Sequence, residues 1–297
     1  MKKKRPILSL EWLITGRCNY NCSYCCQGGQ SFPHCSDATT EAMFKLLSQL
    51  EGSWYIKLSG GEPFIHPRFF EMCERIVMEG HSLCINTNFS APLPQLKRLI
   101  TICGDKLKNV FASLHLEQVN IDEFINKASE FNALKTPATG FCVNCVIIKE
   151  KFKQLKEIEE RLKEKNINFL YQLLLSPTGF HTYSPSIEKY VSKKLMQGTT
   201  TLRNKDLFGT YCYSGSKFFV IWPNGSVTRC YSGHPIYFAL GNIRTGTFVR
   251  LKGAAPCLSP RCTCCVPLNR NMVLFKKKAS QSQLRKICLQ LRAEESR

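Results

Sequence analysis

Acidic side chains are scarce: 22 Asp and Glu stand against 41 Lys and Arg in 297 residues, a formal net charge of +19. That imbalance admits nucleic acid, an anionic membrane or a phosphorylated ligand as partners. Part of it sits in residues 2–5, 276–278 and the terminal helix, where solvated tails explain it, and no aromatic motif of an RNA-recognition domain accompanies it. Nucleic acid is therefore not expected. Long apolar runs are missing as well. Among the longest charge-free stretches, residues 169–187 are broken by Gln172, Ser176, Pro177, Thr178 and His181, which excludes a bilayer span there. The basic start leads into an apolar run at residues 7–14, but Glu11 interrupts it and no small-residue cleavage site follows, which excludes a secretory signal. Internal repeats and low-complexity tracts are absent too.

What is present is a globular composition, 43% hydrophobic and 21% charged. A chain of this length buries about 75% of its surface on folding and needs no disulfide staples. Against that background 17 cysteines are the anomaly. An odd count without a secretion signal fits a reducing cytoplasm, where cysteines serve metals or redox chemistry.

Short runs rich in β-branched and aromatic residues at 7–15, 54–58, 82–86, 109–114, 140–148 and 168–175 read as strands, with helical periods at 39–50, 68–79, 94–103, 121–131 and 151–165 between them. The clearest helix repeats Phe152, Leu155, Ile158 and Leu162 at three- and four-residue steps, with Lys and Glu on its other faces. Alternation of this kind implies an α/β fold with a parallel sheet and right-handed crossovers. The texture changes over residues 176–205, which are rich in Pro, Gly and Tyr and hold one short helix after Ser186. Three segments are expected: a domain at 1–185, a linker at 186–205 and a smaller domain at 206–297. The smaller domain opens with a hairpin, 217–222 and 226–230 around Pro223-Asn224-Gly225, where Asn-Gly supplies the positive φ of a tight turn. An amphipathic helix bearing Leu284, Ile287 and Leu291 closes it.

The sequence Cys18-Asn-Tyr-Asn-Cys22-Ser-Tyr-Cys25 places three thiols in the loop after the first strand. An iron–sulfur cube takes four thiolates, so three closely spaced ones leave one iron with an open site. A zinc knuckle is the competing reading, but no His or fourth Cys follows at ribbon or finger spacing. Glu62, Thr87-Asn88, Ser113-Leu114-His115 and Thr178-Gly179 fall just past the ends of later strands. That edge is where β/α barrels build their sites, so a single pocket is expected to see all of them.

In this order the motifs resemble those of the radical S-adenosylmethionine (radical SAM) superfamily, whose three-cysteine signature has an aromatic residue, here Tyr24, before the last cysteine. Gly60, Gly61 and Glu62 look like its Gly-Gly-Glu-Pro motif, whose glycines admit the methionine end of the cofactor and whose acid suits its ammonium group. Asn86-Thr87-Asn88 resembles Thr-Asn-Gly, with Phe89 in place of the usual Gly. Ser113 stands where a hydroxyl meets the cofactor ribose or carboxylate, and Asn144 where the family often places an amide near the ribose. The resemblance implies a six-stranded partial (β/α)6 TIM-like barrel. It also implies a [4Fe–4S] cluster on Cys18, Cys22 and Cys25 with S-adenosylmethionine on its open iron, contacted by Tyr24, Gly60, Gly61, Glu62, Asn88, Ser113 and Asn144.

Toward the other end, Cys212-x12-Gly225-x4-Cys230 resembles the hairpin that opens the SPASM and shorter twitch extensions of that family, and implies one auxiliary [4Fe–4S] cluster. The run Cys257-Leu-Ser-Pro-Arg-Cys262-Thr-Cys264-Cys265 offers its two remaining ligands: Cys257 and Cys262 are favoured, with Cys264 and Cys265 as alternates. A zinc site from the same residues is the competing reading. A second auxiliary cluster would need more cysteines than Cys288, which alone follows.

Cys73, Cys84, Cys103 and Cys288 lie in apolar periods and read as buried packing, with Cys26 and Cys35 as passengers beside the cluster loop. Cys142 and Cys145 are three apart on a strand, hence on opposite faces, which opposes joint ligation. Cys142 shares a face with Asn144 and is a candidate hydrogen-atom donor. His115 is a candidate for substrate or cofactor contact, whereas the other histidines read as surface or turn residues. Tyr183, Tyr190, Tyr211 and Tyr213 are candidates to wall the pocket, or to pack in a core.

The resemblance implies an enzyme that reductively cleaves S-adenosylmethionine to a 5′-deoxyadenosyl radical, which takes hydrogen from a substrate C–H bond. It also implies an external one-electron reductant of flavodoxin or ferredoxin type. Oxidation or epimerisation of a sugar, aminocyclitol or nucleotide-type small molecule is favoured, since the chain starts almost at its first strand and leaves no room for a leader-peptide domain. Peptide modification is the alternative. A zinc- or cluster-bearing nucleic-acid-binding protein without radical chemistry is the reading of another class.

Overall fold

The computed structural model describes residues 6–25, 33–176, 179–196, 206–231, 235–259, 262 and 266–295. Strands β1 (Ser9–Thr15), β2 (Tyr55–Gly60), β3 (Ser82–Thr87), β4 (Leu107–Leu114), β5 (Gly140–Val146) and β6 (Asn168–Gln172) lie side by side in chain order and parallel. Helices α1 (Asp37–Gln49), α2 (Phe69–Met78), α3 (Leu93–Cys103), α4 (Ile121–Leu134) and α5 (Phe152–Glu164) carry the chain between them. This is the expected α/β architecture, a mostly parallel sheet matching the partial barrel.

The elements form where their sequence favours them. Ser36 caps α1 by accepting from Thr39 N, and Asn120 caps α4 by accepting from Asp122 N and Glu123 N. Alternation then sorts each strand. Leu10, Trp12 and Ile14 of β1, Ile56 and Leu58 of β2, and Leu83 and Ile85 of β3 join the helices in the main hydrophobic core. The opposite face is polar toward the carboxyl end, with Ser59, Asn86, Ser113 and Asn144 on it.

After β6 come a two-strand pair, β7 (Leu175–Ser176) with β8 (Gly179–Phe180), and α6 (Pro185–Val191). Val191 and Leu195 are buried there, and Met196 N donates to Tyr171 O at 2.9 Å, so residues 185–196 pack against β6. Beyond residue 206 lie β9 (Thr210–Cys212), β10 (Phe218–Ile221), β11 (Ser226–Thr228), α7 (Pro235–Phe238), β12 (Ala239–Asn242), β13 (Ala255–Pro256), α8 (Val266–Asn269), β14 (Val273–Lys278) and α9 (Gln281–Glu295).

The hairpin β10–β11 is present, but it does not stand apart. β10 pairs parallel with β1, from Ser9 opposite Phe218 to Trp12 opposite Ile221, and β11 and β12 extend a nine-stranded sheet. The physical reason is the edge of β1: all seven of its residues are buried, so its backbone groups need a partner strand. In the turn only Gly225 takes positive φ (84°), its N–H donating to Trp222 O at 2.9 Å, whereas Asn224 accepts from Ser226 N through its side chain. A second sheet, β13-β9-β14, carries Cys212. Among the described residues no helix is long and apolar enough to cross a membrane.

Candidate active site

A cavity of about 160 Å³ opens at the carboxyl edge of the parallel strands. Cys18, Cys22 and Cys25 line it from the loop after β1, Gly60 and Gly61 from the end of β2, and Asn88 from the end of β3. Tyr24, Thr87, Ser113, His115 and Asn144 line it as well. The ends of β1 to β5 thus converge, but Gly179, expected with them, is not in the wall. Thr178 lies outside the described residues.

Gly60 and Gly61 also lie hard against the backbone that leads into the cysteine loop. A Cβ on Gly60 would sit 2.0 Å from Thr15 O, and one on Gly61 1.9 Å from Arg17 O. Gly61 N donates to Thr15 O at 2.7 Å and Glu62 N to Arg17 O at 2.9 Å, so β2 runs directly against the start of the cysteine loop. Glu62 does not line the cavity. Its carboxylate is fully buried and accepts from Phe64 N (3.1 Å), Thr87 Oγ1 (2.8 Å) and Asn88 N (2.6 Å). Burial pushes its carboxyl up to about 7, against the pull of these donors and of Lys127. Glu62 therefore brackets the ends of β2 and β3, and a side chain so occupied has no oxygen turned to a cofactor ammonium.

The cysteine loop is held from the β3 and β4 sides. Asn88 Nδ2 donates to Asn19 Oδ1 at 2.8 Å and reaches Cys18 Sγ at 3.6 Å. Phe89, standing where a glycine was expected, takes φ of 60° and so keeps the left-handed turn. Ser23 gives both its N–H (2.9 Å) and its hydroxyl (2.6 Å) to the Glu117 carboxylate, and Gln118 Nε2 donates to Asn21 O at 3.3 Å. Glu117 escaped the sequence reading, because nothing in its local pattern shows which loop it will face.

His115 Nδ1 lies 3.4 Å from Cys22 Sγ and 3.3 Å from Tyr24 Oη, and its ring stacks on Tyr24 at 6.0 Å. It thus packs on the cysteine loop. Burial lowers its pKa, with Glu117 pulling the other way, while burial raises the Tyr24 phenol. Burial raises the Cys18 thiol too and takes Cys22 up to about 11, and the neighbouring cysteine sulfurs push in the same direction. Side by side, these thiolates need positive charge among them.

Two polar atoms in the cavity wall are buried and unpartnered: Asn144 Nδ2 and Asn86 Oδ1. Asn144 Oδ1 accepts from Ser113 Oγ at 3.3 Å, which leaves its amino group for another acceptor. Asn86 and Ser59 were missed as site residues; their signal was a polar residue at an inward register position.

Cys212 and Cys230 belong to one buried cluster with Leu13, Phe218 and Val220, and the partly buried Cys257 packs against it. Cys262 packs with Leu207, and Val273 touches both groups. Ala255 pairs opposite Cys212, so Cys257 lies two residues along the same face. Cys264, Cys265 and Cys26 lie outside the described residues.

Other expectations are placed elsewhere. Cys142 does not line the cavity: it sits one inward position below Asn144, where burial pushes its thiol up to about 12. Cys73, Cys84 and Cys103 are buried, as their apolar periods implied. His66 and His81, expected in turns or on the surface, are buried; His81 Nε2 is 3.0 Å from Leu47 O, joining the start of β3 to α1. Tyr183 and Tyr190 pack around β5, β6 and α5 and not on the cavity, because their hydroxyls are taken by Ile147 O and Glu159. Tyr211 and Tyr213 lie on and beside β9, under Lys277 and Lys217.

The family model of the radical SAM superfamily matches residues 12–178, more than half of the chain. The chain belongs to the radical SAM superfamily. A probable GTP 3′,8-cyclase of Methanothermobacter thermautotrophicus is 35% identical over 122 residues, covering 33% of this chain and 40% of the relative. The match thus spans about two fifths of that relative's length. Among solved structures, anSMEcpe with bound AdoMet and Cp18Cys peptide superposes with a TM-score of 0.58 at 20% identity, covering 82% of this chain and 79% of the other. Streptococcus suis SuiB bound to S-adenosylmethionine gives 0.55 at 18% identity, covering 76% and 60%. Both share the fold.

Radical SAM enzymes use a [4Fe–4S] cluster and S-adenosylmethionine. The residues here fit both groups. The three thiols line one cavity, the number that leaves one iron of a cube open to a further ligand. The unpartnered Asn144 and Asn86 atoms suit a polar ligand.

Proposed function

We propose that Cys18, Cys22 and Cys25 hold the [4Fe–4S] cluster and that the cavity beside them receives S-adenosylmethionine and a small polar substrate. The observation that carries this is the convergence of those thiols with two unpartnered amide atoms in one cavity. When bound, the two groups supply an electron to the sulfonium and a 5′-deoxyadenosyl radical that takes hydrogen from a substrate C–H bond. The chain supplies position. Glu117 pins Ser23, and Asn88 pins Asn19, which sets the loop that presents the thiols. Asn144 Nδ2 donates to the ligand and Asn86 Oδ1 accepts from it, while Ser113 fixes the Asn144 amide. Tyr24, His115 and Tyr20 close the side of the cavity and keep water from the reacting carbon.

The substrate class is a nucleotide, sugar or aminocyclitol, and the outcome an oxidation or epimerisation. Support comes from the cavity wall, which offers hydroxyls and carboxamides, and from the likeness to GTP 3′,8-cyclases over part of the barrel. Cys212, Cys230, Cys257 and Cys262 are the proposed ligands of one auxiliary [4Fe–4S] cluster in a SPASM- or twitch-like segment over residues 206–297. An external flavodoxin- or ferredoxin-type protein in the cytoplasm delivers the electron. Deuterium transfer tests the substrate class. Anaerobically reconstituted enzyme with dithionite and S-adenosylmethionine moves deuterium into 5′-deoxyadenosine from a perdeuterated nucleotide or sugar. Transfer from a deuterated peptide alone contradicts the small-molecule reading and favours peptide modification.

A further inference from the structure

Arg229 is 2% exposed, among the largest fully buried side chains of the molecule. Its guanidinium gives all its resolved hydrogen bonds to backbone carbonyls: Nε to Ser214 O (3.1 Å), Nη1 to Pro256 O (3.2 Å) and Nη2 to Ala255 O (3.2 Å). Tyr237 and Phe238 stack beside it, each ring centre 5.1 Å from Cζ. Among the described residues no carboxylate pairs with it. A buried cation is costly unless an opposite charge answers it, and carbonyl dipoles solvate a charge without neutralising it.

The anchors are as telling as the missing counter-ion. Ser214 follows Cys212 by two residues, Pro256 precedes Cys257, and Arg229 precedes Cys230. Ser214 N also donates to Cys212 Sγ at 3.4 Å. One guanidinium therefore ties the three chain segments that carry three of the proposed auxiliary ligands: Cys212 and Cys230 lie in one buried cluster with Phe238, and Cys257 packs against it. Four thiolates outweigh the positive charge of an iron–sulfur core, so the assembly is an anion, more negative still when reduced.

We propose that Arg229 is the positioning and charge-balancing residue of the auxiliary cluster: it gathers the cysteine-bearing segments and raises the cluster's reduction potential by favouring the more negative, reduced state. This rests on the auxiliary-cluster reading above. A fixed guanidinium is suited to the task, because it stays protonated and its fork holds several carbonyls at once.

The test uses the full-length chain with Cys18, Cys22 and Cys25 all replaced by Ala, reconstituted anaerobically so that only the C-terminal cluster remains. Iron and sulfide analysis comes first. Absence of iron there overturns the auxiliary reading, and this inference with it, before Arg229 is altered. With iron present, redox titrations followed by electron paramagnetic resonance compare R229Q and R229K with their parent. R229Q is expected to lower the reduced-to-oxidised ratio at a fixed potential about tenfold, which for one electron is a shift of about 59 mV. R229K keeps the charge and loses the fork, so it stays near the parental midpoint while losing iron faster to a chelator. Equal shifts in both variants, or none in either, overturn the proposal. Should R229Q retain no iron, R229K decides alone: a parental midpoint supports charge balance, and a lowered midpoint or complete iron loss overturns it.

Discussion

Phe89 shows how a single residue departs from a motif without breaking it. A glycine would enter the left-handed region at little cost; Phe89 enters it at φ of 60° and is held by buried contacts with Phe124, Phe131 and Phe141, rings 5.6–5.7 Å away. The substitution was visible in the sequence, but its compensation was not, because the three partners are scattered over residues 124–141. Gly61 is the opposite case. Its motif was legible, but its close approach to the carbonyl of Arg17 was not. Gly61→Ala is accordingly expected to destabilise the apo chain by about 2–3 kcal/mol, the range for a forced overpacking. Urea unfolding would show a lower midpoint at an unchanged slope. An unchanged midpoint contradicts the close crossing.

At the scale of elements, helix and strand periods gave the barrel almost residue by residue, because each element buries a face with its own 3.6 or 2.0 repeat. Contacts between elements were not legible. The pairing of β10 with β1 joins residues some two hundred positions apart and leaves no local pattern in either. The same holds for Glu159 on α5. Its carboxylate accepts from Tyr171 Oη (2.7 Å), Tyr190 Oη (2.9 Å) and Lys194 Nζ (2.5 Å), which ties α5 to β6 and α6. Burial works to raise its pKa, but the hydrogen bonds from Lys194, Tyr171 and Tyr190 outweigh it and hold the carboxyl below its usual range. A depressed carboxyl adds stability that is full above the unfolded value, about 4.3, and is lost as pH falls through the folded value. Glu159→Gln should cost about 1–2 kcal/mol at pH 7. The gap to the parent should begin to close as pH falls below about 4.3 and narrow further toward the folded value. Thermal unfolding across pH 3–7 measures it, and a gap that persists or widens in acid contradicts this assignment.

For the whole molecule, the two motif-bearing cysteine sets lie in two places. Cys18, Cys22 and Cys25 line a cavity at the strand ends, while Cys212 and Cys230 share a buried cluster behind β10 with Cys257 packed against it. Motif order made the first set legible from sequence, and chain spacing hinted at the second. Arg229, which gathers that second set, had no signature, since a lone arginine beside a cysteine looks like any surface cation until its burial is known. The charge of +19, prominent in the composition, defined no site. Radical chemistry at the first set remains the central claim, and one measurement tests it most directly. The reconstituted protein is mixed anaerobically with dithionite and S-adenosylmethionine, and 5′-deoxyadenosine is quantified beside a Cys22→Ala variant. The expected result is product from the parent and a loss of at least a hundredfold in the variant. No product from the parent, or equal product from both, would contradict it.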